Sequence, residues 1–406
     1  MSYVIKAVLS NPLHPEHGQI TIPFPIPGSQ YDPIIEKLQA MDLGFSINRD
    51  CMVNEVDSHY GVLDALEDTL VNIDQLDYLA KRLDSFCESE AAQFQAMAHK
   101  LELAHIKDFI NLTFCCQRAT VISDFSKLEE AGREHRMNLN GGSMPSEEYK
   151  AVDGRKEALQ LIEGGGGTIT PYGVVYDNGM VLEQLYNGRQ FPAYLYDNSP
   201  MVLEVTSKQG LADEKIHEYL YLPASARQIE RTLLRAGVRN DSDLQIRLEF
   251  HELLDQTAFA ADLEHLLEGA DLPQWNRMCQ AVKPLRDPER KKLEAAAMMA
   301  MPHGPDEVRR LAENLDQFDF VPDITTPEEY GKHMIRESGH FEYDPDLEGF
   351  YNFQDYGLQK AEKEQGQFNV LGYIAYHGAL TLEELLREDP AEQYQQEQGP
   401  QMGGPV

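Results

Sequence analysis

The feature that most constrains this chain is that it is written twice. The segment NIDQLDYLAKRLDSF opens on Asn72 as a helix N-cap and places Ile73, Leu76, Leu79, Ala80 and Leu83 on one amphipathic face. The same steps return 199 residues later in DLPQWNRMCQAV, where Asp271 precedes Leu272, Trp275, Met278, Cys279 and Val282. Pro273 sits there in the first turn, where its missing N–H is harmless. Gly132 and Gly331 keep the offset, as do Ile169, Gly173 and Val175 with Phe368, Gly372 and Ile374. Near the start YVIKAVLS answers MVLEVTS at about 198. Two looser pairings need gaps: IIEKLQAMDLG with QIERTLLRAGV, and INLTF with ENLDQF. Several matches in order at nearly constant spacing predict a tandem duplication, the first thing to settle in any chain.

Each copy runs strand-rich, then helical, then mixed, so the expected class is α+β, elongated, with two units of three parts. The first spans residues 1–198, with α/β over 1–60, helices over 61–135 and α/β over 136–198. The second spans 199–388, divided at about 255 and 335. VIKAVLS and QITIPFPI alternate as strands, YDPIIEKLQAM reads as a helix, EYKAVDGRKEALQLI as a helix and TPYGVVYDN as a strand. Gly164–Gly167 is a connector. The polar, Gln/Pro/Gly-rich residues 389–406 are expected to be a disordered tail.

Charge excludes more than it permits. Sixty-eight Asp and Glu against 35 Lys and Arg leave a net −33 over 406 residues. Residues 1–200 hold 29 acidic and 15 basic side chains and the remainder 39 and 20, so acidity belongs to the folded body. Direct nucleic-acid binding needs a basic footprint, and this chain carries the opposite field. A basic partner surface fits it instead. Five cysteines without C-x-x-C spacing argue against a disulfide framework. No apolar run approaches the ~18 residues of a membrane helix. The N-terminus reads as a strand and not a signal peptide, so a cytoplasmic protein is expected.

No motif nominates a reaction, a metal or a cofactor, and a non-enzyme is expected. The glycine run lacks a following G-K-[ST] and leads into a strand. His14-x-x-His17, in HPEHG, reads as a Pro-rich turn without Cys partners, and its counterpart lacks both histidines. H-E-x-x-H, G-x-S-x-G and the acidic calcium loop are absent. Cys115–Cys116 lie in an apolar stretch and read as core.

The acidic residues remain. On the scale of one charge per about 1.7 Å of duplex, −33 matches roughly 56 Å, or about 16 base pairs. Carboxylates four apart on a helix share a face. Asp77, Asp84 and Glu88 are expected to line up opposite the Leu76/Leu79/Leu83 stripe, extended by Asp64, Glu67 and Asp68. Asp255, Asp262, Glu264 and Glu268 offer a second series, with Asp316, Asp319 and Asp323 beyond.

At this point the chain resembles the ArdA antirestriction family, acidic proteins of conjugative plasmids and transposons. Its members have an α/β part, a helical middle and a second α/β part with a tyrosine-rich stretch and a Tyr-Gly before a polar helix. GFYNFQDYGLQKAEKEQGQFNVLGYIAYHG fits that last part, with Tyr351, Asp355, Tyr356 and Gly357 at the motif. Family members commonly continue Arg-Asp, whereas Leu358-Gln359 follow here. In the first copy EYKAVDGRKEAL keeps Gly154-Arg155 and loses the second Tyr. The resemblance implies a non-catalytic mimic of bent B-DNA occupying the DNA-binding cleft of type I restriction–modification enzymes. Since family members act as dimers of a chain about half this length, the repeat makes this chain a covalent pseudo-dimer, an arrangement compatible with further self-association. The alternative is an acidic module for another basic partner: a nucleoid, transcription or conjugation protein.

Overall fold

A computed structural model describes residues 3–209, 216–252, 254–267, 271–337 and 342–387. The expected tail, 389–406, lies outside them. The class is α+β, with small antiparallel sheets among many helices.

The first stretch runs β1 (Ile5–Ser10), β2 (Gln19–Phe24), α1 (Tyr31–Gln39), β3 (Cys51–Ser58) and β4 (Leu70–Val71). Helices α2 (Ile73–Asp84), α3 (Glu88–Lys100) and α4 (Ile106–Leu112) follow. Next come β5 (Thr120–Ile122), α5 (Leu128–Leu139), α6 (Ser146–Ala151), α7 (Gly154–Gly164), β6 (Thr168–Thr170) and β7 (Gly173–Tyr176). The sheets are ordered β2-β1-β3-β4 and β5-β7-β6. Because β5 pairs with β7, the third part begins near residue 120, earlier than the pattern of the sequence places it.

The later stretch opens with β8 (Met201–Ser207), β9 (His217–Leu222), α8 (Ala226–Ala236) and β10 (Leu244–His251). Helices α9 (Ala258–Ala261), α10 (Leu263–Leu267), α11 (Leu272–Val282), α12 (Asp287–Ala300) and α13 (Pro305–Glu313) come next. It closes with β11 (Phe318–Pro322), α14 (Pro327–Arg336), α15 (Phe353–Lys363), β12 (Gln367–Asn369), β13 (Gly372–Tyr376) and α16 (Leu382–Leu386). Its sheets are ordered β10-β8-β9 and β11-β13-β12. From α2/α11 through β7/β13 the helices and strands begin 198 or 199 residues apart, with the single exception of α6, opposite which stands a 3-10 turn at Pro345–Phe350. The loose pairing of INLTF with ENLDQF is overturned here, since α4 and α13 start 199 apart with no gap, which sets residues 110–114 against 309–313.

Contacts divide the chain into two compact units, interleaved around the boundary expected at 198. One comprises Met1–Tyr196, Thr206–Tyr219 and Ser225–Leu244; the other comprises Asp197–Val205, Leu220–Ala224 and Gln245–Val406.

In the first unit, β1 buries Ile5, Ala7 and Leu9 on alternate positions, as a half-covered strand must. Helix α2 closes on them with Leu76, Leu79 and Leu83, and Phe94 and Phe109 fill the interval. Its start is fixed by Asn72, whose side chain accepts from the Asp74 N–H while Gln75 reaches back to the Asn72 N–H at 2.9 Å. Cys115 and Cys116 are buried in this core, and burial pushes both thiols up. Helix α8 belongs to this unit because its arginines are fastened there, as described below.

Gly132 and Gly331 have a common physical reason. A Cβ on Gly132 of α5 falls 1.8 Å from the Gly154 carbonyl oxygen of α7, and one on Gly331 of α14 falls 1.9 Å from that of Phe353 in α15. The helices cross backbone to backbone, and only hydrogen fits between them. Gly173 and Gly372, at φ +127° and +151°, make the tight turn into β7 and β13. In the second unit Trp275 is buried beside Phe259, with ring centroids 6.0 Å apart. No helix among the described residues is long and apolar enough to cross a membrane.

Candidate acidic interface

The expected carboxylate line on α2 does not form. Asp77 follows Ile73 by four and precedes Ala80 by three, which puts it at the edge of the buried stripe. It is 8% exposed, accepts from the Ile26 N–H at 2.7 Å and pairs with Lys81 Nζ at 2.7 Å. Its charge is spent inside the fold, so it is removed from the candidate surface. Helix α2 ends at Asp84 and α3 starts at Glu88, so these two lie on different helices. Asp84 is exposed and accepts a hydrogen bond from the Tyr196 hydroxyl. Glu88 is exposed and free of any counter-ion among the described residues.

Asp64 sits in a 3-10 turn, Gly61–Leu66, with Glu67 and Asp68 just after it. All three are exposed. Glu67 Oε1 accepts from the Val56 N–H at 3.0 Å, whereas Asp64 and Asp68 have no cation beside them among the described residues.

The second series is likewise broken up by the backbone. Asp255 precedes α9 and lies 3.5 Å from His251; Asp262 separates α9 from α10, which carries Glu264. Glu268 lies outside the described residues. Asp316 is in a 3-10 turn, Asp319 is on β11 with His377 at 3.6 Å, and Asp323 pairs with Lys291 at 2.7 Å. Asp255, Asp262, Glu264, Asp316, Asp319 and Asp323 are exposed, and Asp262, Glu264 and Asp316 have no cation or donor at their side chains among the described residues.

The tyrosine-rich stretch has a structural part. Asp355 is held in the Asn352 cap of α15, its N–H donating to Asn352 Oδ1 at 3.2 Å. Tyr351 rests 5.6 Å from the Phe353 ring and Tyr356 is half-buried. Gly357 is buried where a Cβ falls 1.8 Å from the Pro327 carbonyl oxygen, so it serves the α14–α15 crossing.

A cluster that sequence reasoning missed lies in the first unit. Glu88 of α3, Asp124 after β5, and Glu130 and Glu134 of α5 line an open groove of about 390 Å³, with Lys127 as its single cation. Burial, and then the charge of Glu130, raises the Glu134 carboxyl above its ordinary value. The Glu130/Glu134 spacing of four was visible in the sequence, but it takes the β5–β7 pairing to bring α5 up to α3. Shifted by 199, the positions are Asp287, Asp323, Glu329 and His333. There Lys291 neutralises Asp323, and Glu329 caps α14 by accepting from the Thr325 and Thr326 N–H groups. The acid groove is therefore a property of one stretch and not of both.

Compared with known proteins, the chain matches no family model and no curated sequence.

Proposed function

We propose that the protein is an antirestriction factor that mimics B-DNA without catalysis, built of two tandem ArdA-like units and acting in the cytoplasm on the DNA-binding cleft of a type I restriction–modification enzyme. The observation that carries this reading is the uncompensated exposed charge. Asp64, Asp68, Glu88, Asp262, Glu264 and Asp316 are exposed without a counter-ion among the described residues, and four carboxylates converge on one groove against a single lysine. Like charges held this close weaken a fold, and a basic cleft that grips phosphates offers the compensation.

The test is competition. Purified protein is titrated into a type I methyltransferase bound to a labelled duplex carrying its site. Release of the duplex supports the reading. Retention of the duplex at saturating protein, with recovery of a nucleoid or transcription protein from host lysate, transfers the function to the acidic-module alternative.

A further inference from the structure

We propose that the β1–β2 turn binds one divalent transition-metal ion, of the zinc or nickel class, through His14, Glu16 and His17. This inference stands apart from the function proposed above and uses none of the carboxylates named there.

The geometry starts from the hairpin. β1 and β2 pair antiparallel with Ser10 opposite Gln19, and the eight residues between them must turn back on themselves. Residues Pro15–His17 do so as a 3-10 turn, in which the His17 N–H donates to the His14 carbonyl at 3.1 Å. Side chains three apart eclipse in that geometry, whereas they would fan out on a strand. The two imidazoles consequently stack, with centroids 5.2 Å apart and planes 16° from parallel. Glu16 Oε1 lies 3.0 Å from His14 Nδ1. One donor atom from each of the three residues falls within 4.8 Å of the others. Zinc–nitrogen and zinc–oxygen bonds of about 2.0–2.2 Å set tetrahedral donors about 3.4 Å apart, so side-chain rotation alone closes the site.

A second chain segment supports the turn. Asp42 Oδ2 is 3.9 Å from His17 Nδ1, although it lies 25 positions away. Its loop is pinned by Asn11, a buried side chain whose Nδ2 donates to the Met41 carbonyl at 2.9 Å and the Asp42 carbonyl at 3.1 Å. The Asn11 Oδ1 accepts from the Leu13 N–H at 2.9 Å, so one residue fixes both the turn and the loop. At that distance the Asp42 carboxylate makes no hydrogen bond to the ring, but it adds a negative charge that favours a cation beside His17. Two imidazoles favour a d-block ion over calcium or magnesium, which prefer oxygen. The three ligands are exposed, which leaves an open path for the ion.

The spacing His14-x-x-His17 carried no such message in the sequence, because Asp42 and the eclipsing turn were not visible there. The corresponding turn of the later stretch has no histidine in its sequence, so a single site per chain is expected.

Calorimetric titration of the full chain with Zn²⁺, and absorption of the Co²⁺ complex, test this. The wild type is expected to bind one ion with the visible bands of a low-symmetry nitrogen/oxygen site. His14→Ala with His17→Ala is expected to lower affinity at least about 100-fold and abolish those bands, and Glu16→Gln to lower it about 10-fold. All three side chains are exposed, and an unchanged circular-dichroism spectrum confirms that the variants fold. Absence of Zn²⁺ binding by the wild type, wild-type binding by the double histidine variant, or equal affinity for Ca²⁺ overturns the proposal.

Discussion

Arg231 grips Asp74 from the side: its Nε donates to Oδ1 at 2.9 Å and its Nη2 to Oδ2 at 2.8 Å, with both side chains nearly buried. The residues are 157 positions apart, and the remaining guanidinium nitrogen donates to the Gly44 carbonyl. Arg235, one turn on, reaches the same carboxylate at 3.3 Å. Burial pushes the Asp74 carboxyl up, but the two guanidinium groups outweigh it and hold the pKa below the usual carboxylate range. This pair fastens α8 within the first compact unit.

Arg231→Ala is expected to destabilise the unit by about 3 kcal/mol, because it removes both parallel bonds and leaves the buried Asp74 anion with Arg235 as its one guanidinium partner at 3.3 Å. Urea denaturation followed by far-UV circular dichroism measures it. Arg231→Lys is expected to recover only part of the loss, since an ammonium cannot make both parallel bonds. Equal stability of Arg231→Ala and wild type would contradict the clasp.

Gly132→Ala and Gly331→Ala are each expected to cost about 3 kcal/mol or more, since the new methyl lands on a carbonyl oxygen that neither helix can move cheaply. The loss should appear as a lower urea midpoint in both variants. A neutral effect in either would mean that the helices do not cross at the glycines.

Glu218 gives a pH dependence with a definite sign. Burial pushes its carboxyl up to about 7 from the ordinary 4.5, against the opposing pull of Arg235, whose Nη2 is 3.2 Å away. A raised folded-state pKa means that the folded protein keeps a proton the unfolded chain has released. Its contribution is complete below about 4.5 and is lost as pH rises through 7. Relative to the wild type, Glu218→Gln should therefore gain about 2 kcal/mol between pH 5 and pH 8 in paired denaturation series. A parallel pair of pH profiles would show that the carboxylate is charged throughout.

Neutralising the groove tests its role in partner binding. Glu88→Gln, Glu130→Gln and Glu134→Gln together should weaken competition with the duplex about 10-fold or more, chiefly through slower association. Relief of the raised Glu134 carboxyl should leave the variant at least as stable as the wild type at pH 7. Unchanged competition would place the contact elsewhere on the surface.

What the sequence disclosed, and what it hid, follows from the range of the interactions. Asn72 capping α2, the buried Cys115–Cys116 pair and the paired glycines at 132 and 331 were legible because a local pattern or a repeat carries them. Asp77 was misread because it sits at the margin of the apolar stripe, where periodicity does not say which side a residue takes. The run from Asp77 to Glu88 hid a helix end, and the Asp255–Glu264 run hid two short helices. Arg231 and Glu218 look like surface residues in any composition, and long-range pairing alone buries them. The groove was invisible for the same reason, as its walls come from segments more than thirty residues apart.

The most direct measurement is the affinity of the purified protein for a type I methyltransferase as salt is raised from 50 to 200 mM. Phosphate-like carboxylates facing a basic cleft predict a fall of at least about 10-fold, with association slowing more than dissociation quickens. An affinity that stays flat across that range would contradict the imitation of a phosphate backbone.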